Sequence, residues 1–465
     1  MSSFDHVSIR HELARRAAAG NPICVGVSGA GWIGSGFVAQ TAHVSGLLVN
    51  VLADPDVAAA RRAFIAAGVP ADAIVEASAP GLAMDALRAG KRVITGDYTL
   101  AARVPLSQPG DHRGAGVDIV ADVTPSPASG AETAYACIRH GKDVVMVNIE
   151  ADVTAGRVLK KLAADAGVLY TVSSGDEPGC LMELFDYVTA LGFEPIVIGK
   201  GKNNPLNRAA TPDTVAESAR KSNKDPFTVA SYVDGTKTMF EMACAANATG
   251  CLPMQRGMVG PEASIDNVSC IFALEEDGGI AKFPGAVDFV QGPSMSGGVF
   301  VTVRVADERI RADLEYLKVG KGRYFTFFRP YHLWFIEAPI SVALAALRKQ
   351  VWLTPLDRLV ADVMTVAKRD LAPGERLDEF GGYRFYGTMD RAEVARALDA
   401  LPVGLAPAAR VVRPVAAGAL VTWADVALDE ASTVVRLRRQ QDALDGLDPI
   451  RFRVGLEITR PPACV

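Results

Sequence analysis

The sequence predicts an α/β fold with an N-terminal doubly wound parallel sheet, a central α+β domain and a small β-rich C-terminal domain. An apolar stretch over residues 23–28 runs directly into a glycine-rich turn. Strand and helix patterns then alternate through the first two fifths of the chain, which is typical of a parallel sheet. Short strands separated by Pro and Gly follow from about residue 355. We therefore expect domains over residues 1–160, 161–350 and 351–465.

The predicted elements of the first domain follow in chain order. After the glycine turn come a helix over 35–44, a strand over 47–52, helices over 57–67 and 84–91, and a strand over 92–95. A strand ending at Asp122, a helix over 131–141, a strand ending near Asn148, a helix over 155–167 and a strand over 168–172 complete it. The second domain is predicted to hold helices over 182–192 and 231–250 and strands over 195–199, 268–274 and 297–305.

Composition narrows the class of protein. The 465 residues carry a formal net charge of −5, so there is no electrostatic reason to expect nucleic acid or an anionic membrane as a partner. No apolar run reaches the roughly 18 residues that a membrane span needs. The N-terminus is polar and helical in pattern, and the seven cysteines are scattered without a CxxC pair. We expect a soluble, cytoplasmic protein.

The glycine turn Gly29-Ala30-Gly31-Trp32-Ile33-Gly34 carries the strongest functional signal. It follows a strand and opens a helix, where Gly29, Gly31 and Gly34 would permit a tight turn, close approach of a pyrophosphate and close helix packing. The helix N-terminus adds partial positive charge toward phosphates. Trp32 and Ile33 lie in the same turn. The pattern predicts a dinucleotide site.

Asp54 predicts which dinucleotide is bound. It stands twenty positions after Gly34, at the end of the second strand pattern. A carboxylate there accepts a hydrogen bond from the ribose 2′-hydroxyl of NAD and repels the extra phosphate of NADP. We expect NAD, with NADP as the alternative.

Polar residues follow later strands of the predicted sheet. Thr124 and Pro125 come just after the strand that ends at Asp122, and Asn148 and Glu150 follow the next strand. Ligands of doubly wound sheets lie outside the carboxyl ends of the strands. We therefore expect Thr124, Pro125 and Asn148 at the cofactor and Glu150 at the substrate.

Two polar loops offer candidates for substrate contact. Asp176 and Glu177 lie in the turn Gly175–Gly179, where a catalytic or binding role competes with a solvated turn that caps a helix. Lys202, Asn203 and Asn204 lie in the loop GKGKNNPLN over 199–207. Their donors suit hydroxyl, carboxylate or phosphate oxygens, although an exposed loop would also be polar.

The segment Tyr232–Lys237 opens an apolar helix. Lys237 is a candidate general acid or base once burial lowers its pKa, and Asp234 could orient it. The alternative is a solvent-facing lysine in a first helical turn that Asp234 caps.

Residues 318–332 combine cations, aromatics, glycines and one histidine. Arg329 could bind a phosphate or carboxylate in bidentate fashion, with Lys321 nearby. His332 is a candidate for catalysis or for a structural hydrogen bond. No metal-ligand spacing is present, so no metal is predicted.

Taken together, the motifs GDEPG, GKGKNNPLN, DGTK and GKGRYFTFFRPYHL resemble homoserine-dehydrogenase-related oxidoreductases, and most closely the deoxyxylulose-phosphate-reductoisomerase-like branch. The segment AKRDLAPGERLDEFGG resembles a SAF-type domain. The resemblance implies a Rossmann domain, a homodimer or higher homo-oligomer, and a reductoisomerase acting on a small sugar- or polyol-derived substrate. It also implies that Lys237 and Lys202 polarise a carbonyl or move a proton, while Arg329 and Lys321 hold a phosphate.

Two departures from this family keep alternatives open. Asp54 disagrees with the NADPH preference of isoprenoid-forming members, and Ile149-Glu150 stands where homoserine dehydrogenases place a lysine. A simple NAD-dependent dehydrogenase of a small hydroxy acid is one alternative, and a nucleotide-sensing protein without catalysis is another. A rearranged carbon skeleton in the product would separate the first alternative from a reductoisomerase.

Overall fold

The computed structural model describes residues 8–107 and 114–444. The end of the predicted third domain therefore lies outside the described residues. The helices are α1 Ile9–Ala18, α2 Trp32–Thr41, α3 Val57–Ala66, α4 Pro80–Arg88, α5 Leu100–Arg103, α6 Pro127–Arg139, α7 Ile149–Ala166, α8 Glu177–Ala190, α9 Ala216–Ser222, α10 Pro226–Val233, α11 Thr236–Thr249, α12 Val268–Ile271, α13 Glu308–Tyr316, α14 Trp334–Arg348, α15 Ala392–Ala397 and α16 Thr433–Leu444.

The strands are β1 Ile23–Ser28, β2 Leu47–Ala53, β3 Ile74–Glu76, β4 Arg92–Thr95, β5 Ile119–Asp122, β6 Asp143–Met146, β7 Tyr170–Val172, β8 Glu194–Lys202, β9 Leu252–Pro253, β10 Ala286–Gln291, β11 Val299–Arg304, β12 Tyr324–Arg329, β13 Ala361–Ala367, β14 Phe385–Arg391, β15 Arg410–Val411 and β16 Val426–Ala427.

Backbone contacts divide the chain into two units. Among the described residues, unit 1 comprises residues 8–107, 114–176, 333–354 and 436–444, and unit 2 comprises residues 177–332 and 355–435. The predicted division into three domains differs from this one, because unit 2 combines most of the central residues with the β-rich segment. It stays a prediction.

Unit 1 contains a seven-stranded parallel sheet in the order β3-β4-β2-β1-β5-β6-β7. Every residue of β1 and β5 is buried, as expected for a parallel sheet with helices on both faces. Phe37 of α2 and Phe64 of α3 are fully buried in the core of this unit. The predicted α/β fold class with its doubly wound parallel sheet is confirmed.

Unit 2 contains a five-stranded mixed sheet in the order β12-β11-β8-β10-β9. β10 runs parallel to β8 and β9, whereas β11 runs antiparallel to β8 and β12. Two small antiparallel sheets, β13-β14 and β15-β16, supply the β-rich part that the sequence predicted. Nearly all of α11 is buried. The packing around this helix therefore fixes its position within the unit.

Two predictions of local structure are wrong. The predicted strand over 268–274 begins with helix α12, in which Val268 is buried and Cys270 is exposed. A short apolar run cannot be distinguished from a buried helix by its periodicity alone. The helix predicted over 231–250 is two helices, because Gly235 has a φ of 86° and starts α11 afresh. Among the described residues, no helix has both the length and the apolar character needed to cross a membrane.

Candidate active site

The glycine turn in unit 1 has the geometry of a phosphate-binding turn. Gly29 has a φ of 107°, and its N–H donates to the Ala53 carbonyl at 2.7 Å. A Cβ at Gly34 would lie 2.0 Å from the Gly29 carbonyl oxygen, so only glycine allows α2 to pack this closely. A Cβ at Gly31, in contrast, would meet no atom within 4 Å. Gly31 is the N-cap of α2 and supplies no side-chain cap, so the turn offers open space at a helix N-terminus.

Trp32 presents an aromatic surface beside this turn. Its side chain is 51% exposed and meets the Trp334 and Phe335 rings edge to face, with centroids 5.0 Å and 6.1 Å apart. Ile33 is half-buried. The fluorescence of the exposed indole is therefore expected to change when a ligand binds at the turn.

Asp54 connects the end of β2 to the glycine turn. Its Oδ2 accepts a hydrogen bond from the Ala30 N–H at 2.7 Å, and its Oδ1 accepts one from the Asp56 N–H at 2.8 Å. The carboxylate therefore lies against the turn, where the sequence expects a ribose.

Thr124 and Asn148 form one hydrogen-bonded group with Asp122 at the carboxyl ends of β5 and β6. The Thr124 hydroxyl donates to Asp122 at 3.0 Å, and the Asn148 amide donates to Thr124 Oγ1 at 3.1 Å. Asn148 Oδ1 also accepts from the Ala151 N–H and caps α7. Burial raises the pKa of Asp122 to about 7. This group ties the two strand ends together, and its contact with a cofactor stays a prediction.

The remaining predicted residues of unit 1 differ in exposure. Pro125 is exposed after β5, and Glu150 is half-buried in the first turn of α7. Asp176 is buried and is the last residue of the first of the three segments that form this unit. Their predicted contacts with cofactor or substrate stay predictions.

A buried cluster of three charged side chains lies in unit 2. Lys200 on β8 bonds Glu177, the first residue of α8, at 2.5 Å, and it also bonds Glu241 on α11. All three side chains are no more than 6% exposed. Two carboxylates thus share one ammonium group away from bulk water.

The surroundings of this cluster shift its protonation. Burial raises the pKa of Glu241 to about 7, and the nearby charge of Glu177 acts in the same direction. Although burial opposes the charge of Lys200, the carboxylates of Glu177 and Glu241 raise its pKa. The cluster can therefore hold or release a proton near neutral pH while Lys200 stays cationic.

His332 joins the cluster through Glu177. Its Nε2 lies 3.5 Å from Glu177 Oε2, and its Nδ1 lies 2.8 Å from the Gly297 carbonyl. A carbonyl accepts only, so Nδ1 carries the proton and Nε2 faces the carboxylate. Imidazole and carboxylate are also ligand types for divalent cations, and Asp176 directly precedes Glu177 in the chain. The predicted absence of a metal stays a prediction.

Lys202 lies two positions after Lys200 on β8. Its ammonium group donates to the Tyr232 carbonyl at 2.6 Å. Its pKa is lowered to about 8, chiefly by burial and in part by the neighbouring charge of Lys200. Unlike Lys200, Lys202 therefore loses its proton within the physiological range.

A polar cavity of ≈ 660 Å³ opens beside Lys202. It is lined by Lys202, Asn203 and Asn204 together with Glu262, Asn267 and Gln291. Its volume falls in the range of about 300–1,000 Å³ that is usual for small-molecule sites. Lys202, Asn203 and Asn204, three consecutive residues that the sequence singled out, thus line one cavity.

Lys237 and Asp234 flank the start of α11. Lys237 is half-buried in its first turn, one helical turn before Glu241, whose pKa it lowers. Asp234 is fully buried and pairs with Lys368 at 2.8 Å rather than with Lys237. The structure thus places Asp234 in an ion pair with another lysine, and an orienting role toward Lys237 stays a prediction.

Arg329 and Lys321 do not line the cavity. Arg329 pairs with Glu183 at 2.7 Å, and its guanidinium lies 5.0 Å from the centre of the Tyr331 ring. Lys321 is exposed in the loop before β12. Their joint role in holding a phosphate stays a prediction.

Lys200 and Glu241 were not predicted as site residues from the sequence. Each of the two residues nevertheless fits a pattern that is visible in the sequence. Lys200 shares a face of β8 with Lys202, because side chains in a strand alternate with a period of two. Glu241 follows Lys237 by four residues and so faces the same side of α11. A charged residue inside the apolar stretch TMFEMACAAN is itself an indication of a buried polar cluster.

Several known proteins resemble the chain. Residues 175–338 match the model of a family described as the catalytic domain of oxidoreductase DRL, and this segment contains Glu177, Lys200, Glu241 and His332. No curated protein matches. The match and the geometry of the glycine turn support the prediction of an NAD(P)-dependent oxidoreductase.

Solved structures similar to the chain include 1-deoxy-D-xylulose 5-phosphate reductoisomerase from Zymomonas mobilis in complex with NADPH. It shows 19% identity and a TM-score of 0.33 over 48% of this chain, which spans 57% of that enzyme. A probable dehydrogenase from Thermotoga maritima shows 14% identity and a TM-score of 0.39, with 71% of this chain and 90% of that chain covered. GenD2 from gentamicin A biosynthesis, in complex with NAD, shows 13% identity and a TM-score of 0.33, with 73% and 89% covered.

Proposed function

We propose that the chain is a nicotinamide-dependent reductoisomerase that acts on a small sugar- or polyol-derived substrate. The observation that carries the proposal is the buried cluster of Glu177, Lys200 and Glu241 inside the segment that matches an oxidoreductase catalytic domain. A skeleton rearrangement needs a hydroxyl proton removed and a carbonyl polarised at the same centre. A cation between two carboxylates, one with a pKa of about 7, supplies both kinds of group.

The residues at the glycine turn fit a dinucleotide. The open space at Gly31 and the uncapped N-terminus of α2 would take the pyrophosphate, and Asp54 would accept from a ribose hydroxyl. The bound nicotinamide supplies or accepts the hydride. Because Asp54 repels a 2′-phosphate, we propose that NAD is preferred over NADP.

The cavity beside Lys202 would hold the substrate. Asn203 and Asn204 offer amide donors and acceptors to hydroxyl groups, and Lys202 offers a cation whose pKa of about 8 suits proton transfer. In the rearrangement, Glu241 would take the hydroxyl proton. That C–O group becomes the new carbonyl as a carbon–carbon bond breaks at its carbon and forms at the original carbonyl carbon, whose oxygen takes the proton back from Glu241. In the reduction of that carbonyl to an alcohol, Lys202 would donate the proton that its oxygen takes up.

A simple dehydrogenase of a small hydroxy acid is the second candidate. Lys237 favours it, because a half-buried lysine in the first turn of α11 can remove a hydroxyl proton without any rearrangement. Only hydride transfer would then accompany the reaction, and the carbon skeleton of the product would be unchanged.

Product analysis of matched variants tests the proposal. We would incubate the protein and NADH with ¹³C-labelled ketose phosphates and with 2-keto acids, and follow both NADH loss and the carbon connectivity by NMR. We expect a rearranged skeleton, and a loss of turnover of about 100-fold or more in Glu241→Gln. The Lys221→Ala variant, which removes an exposed lysine that pairs with Glu217, serves as a control for the surface charge. Turnover with an intact skeleton would instead support the dehydrogenase.

A further inference from the structure

A second cavity of ≈ 320 Å³ lies entirely within unit 2 and differs in chemistry from the cavity beside Lys202. Two arginines, Arg208 and Arg256, line it together with Tyr386 and Thr388. No carboxylate is among its lining residues. The cavity is therefore a small space with cationic walls.

Arg208 is held by uncharged groups. Its Nη1 donates to the carbonyl oxygens of Asp234 at 3.0 Å and Gly387 at 3.2 Å. The Asp234 carboxylate itself pairs with Lys368, so it does not neutralise the arginine by direct contact. The guanidinium carbon lies 5.1 Å from the centre of the Tyr386 ring, which stacks against it. This half-buried guanidinium therefore donates to neutral carbonyls and has no carboxylate in direct contact among the described residues, which leaves it able to bind an anion.

The free side of this guanidinium faces the same space as the Thr388 hydroxyl. A Cβ placed on Gly257 would lie 3.2 Å from Arg208 Nη2 and 3.1 Å from Thr388 Oγ1. The two donors therefore converge over Gly257, whose φ of 73° favours glycine and keeps the space open.

Arg256 adds a second cation at the rim. Its side chain is 45% exposed, and its Nε contacts Asp390 at 3.1 Å. Two arginines and no carboxylate are thus among the residues that line the cavity. The excess positive charge favours an anionic occupant.

We propose that this cavity binds a small oxyanion, a carboxylate or a phosphate, through Arg208 and Thr388, with Arg256 at its rim. The guanidinium and the hydroxyl would each donate to an anion oxygen. The site does not depend on the oxidoreductase activity proposed above. Because Arg208 also donates to the carbonyl of Asp234, an anion bound by Arg208 would be linked through this arginine to the residue two positions before the start of α11.

Calorimetric titration tests the site with two probes, inorganic phosphate and malonate, at constant ionic strength. We expect one of them to bind the full-length protein with a Kd in the millimolar range or below. Thr388→Val keeps the side-chain shape and should weaken that binding about fivefold, and Arg208→Lys should weaken it about tenfold because a single ammonium cannot replace the guanidinium fork. Binding of phosphate alone assigns a phosphate ligand, and binding of malonate alone assigns a carboxylate.

The control is Arg309→Gln, which removes an arginine that pairs with Asp313 on an exposed helix face. It should bind the probe as the unaltered protein does. Thr388→Val keeps the test valid should Arg208→Lys unfold, which circular dichroism would reveal. The proposal is overturned if neither probe binds at a concentration of about 50 mM. It is also overturned if the Thr388→Val variant binds the probe as tightly as the unaltered protein does.

Discussion

Gly31 and Gly34 stand in one turn but have opposite surroundings. A Cβ at Gly31 meets nothing within 4 Å, whereas one at Gly34 would lie 2.0 Å from a backbone oxygen. We predict that Gly31→Ala leaves the melting temperature unchanged and weakens NADH binding about tenfold, because the methyl group occupies the space proposed for the pyrophosphate. Fluorescence titration, with Trp32 as the donor to bound NADH, measures the affinity.

Gly34→Ala is the matched control for this prediction. It should lower the free energy of unfolding by about 1–3 kcal/mol, since the added methyl group forces α2 away from the turn. Equal NADH affinity in Gly31→Ala and the unaltered protein would contradict the cofactor site. A large fall in the melting temperature of Gly31→Ala would contradict the open geometry.

Asp54 sets the expected cofactor preference. Its carboxylate accepts from the Ala30 and Asp56 N–H groups and faces the proposed ribose. We predict that the protein binds NADH more tightly than NADPH, and that Asp54→Asn narrows the ratio of the two dissociation constants by about tenfold because the repulsion of the 2′-phosphate is removed. Parallel titrations of both cofactors measure this ratio. An unchanged ratio would argue against contact between Asp54 and the ribose.

We expect the rate of the reductive reaction to depend on pH through Lys202. Burial lowers its pKa to about 8, so the side chain is cationic below that pH and neutral above it. If the cation donates the proton during carbonyl reduction, kcat/KM in the reductive direction falls about tenfold per pH unit above pH 8. Lys202→Arg stays charged throughout, so this alkaline limb should be absent in the variant. An identical limb in both proteins would assign the titration to another group.

At the scale of elements, α11 is anchored at both ends within unit 2. Asp234 precedes it and pairs with Lys368, and the Thr236 hydroxyl accepts from the Gly387 N–H at 2.9 Å. At the other end, Asn247 Oδ1 accepts from the N–H groups of Val360 and Ala361. The β-rich segment thus holds the helix that carries Lys237 and Glu241.

We predict that Lys368→Met lowers the free energy of unfolding by about 3–5 kcal/mol at pH 7.5, because it leaves the Asp234 carboxylate buried without its cation. Burial already raises the pKa of Asp234. A raised folded-state pKa means that the penalty grows as pH rises and shrinks as Asp234 takes up a proton. Urea unfolding should therefore show a smaller loss at pH 5 than at pH 7.5.

The double variant Asp234→Asn, Lys368→Met is the control, since it removes the charge from both partners. It should be more stable than Lys368→Met alone at pH 7.5. If the loss caused by Lys368→Met does not vary with pH, Asp234 is not the group responsible.

At the scale of the whole molecule, the chain passes four times between the two units, at residues 176, 332, 354 and 435. Neither unit is therefore one continuous stretch of sequence. We predict that NADH at about 100 times its Kd stabilises unit 1 by about 2.7 kcal/mol. Hydrogen exchange followed by mass spectrometry should show slower exchange in β1, β2 and β5. Unchanged exchange in these strands would contradict a cofactor site in unit 1.

The oligomeric state belongs to the same scale. The resemblance implies a homodimer or a higher homo-oligomer, which we retain as a proposal. Light scattering coupled to size-exclusion chromatography measures it directly, and a mass of 49.1 kDa, that of one chain, would contradict it.

The sequence was most informative where function depends on contiguous residues. The glycine turn and Asp54 could be identified from spacing, because a strand, a turn and a helix N-terminus form from neighbouring residues. The alternation of strands and helices likewise predicted the parallel sheet. The strand predicted over residues 268–274 was wrong, because a short apolar run fits a helix or a strand equally well.

The candidate catalytic cluster required the tertiary structure. Glu177, Lys200, Glu241 and His332 come from a helix start, a strand, a second helix and a loop, and nothing in their spacing says that they meet. The same holds for Arg208 and Thr388, which are far apart in the chain and converge over Gly257.

The α/β class and the glycine turn follow from the sequence alone, since both rest on local periodicity and backbone conformation. The position of Lys200 between two carboxylates and the pairing of Asp234 with Lys368 are visible only in the tertiary structure. Burial and charge pairing depend on the distances between side chains that packing brings together. Short-range sequence patterns do not contain these distances.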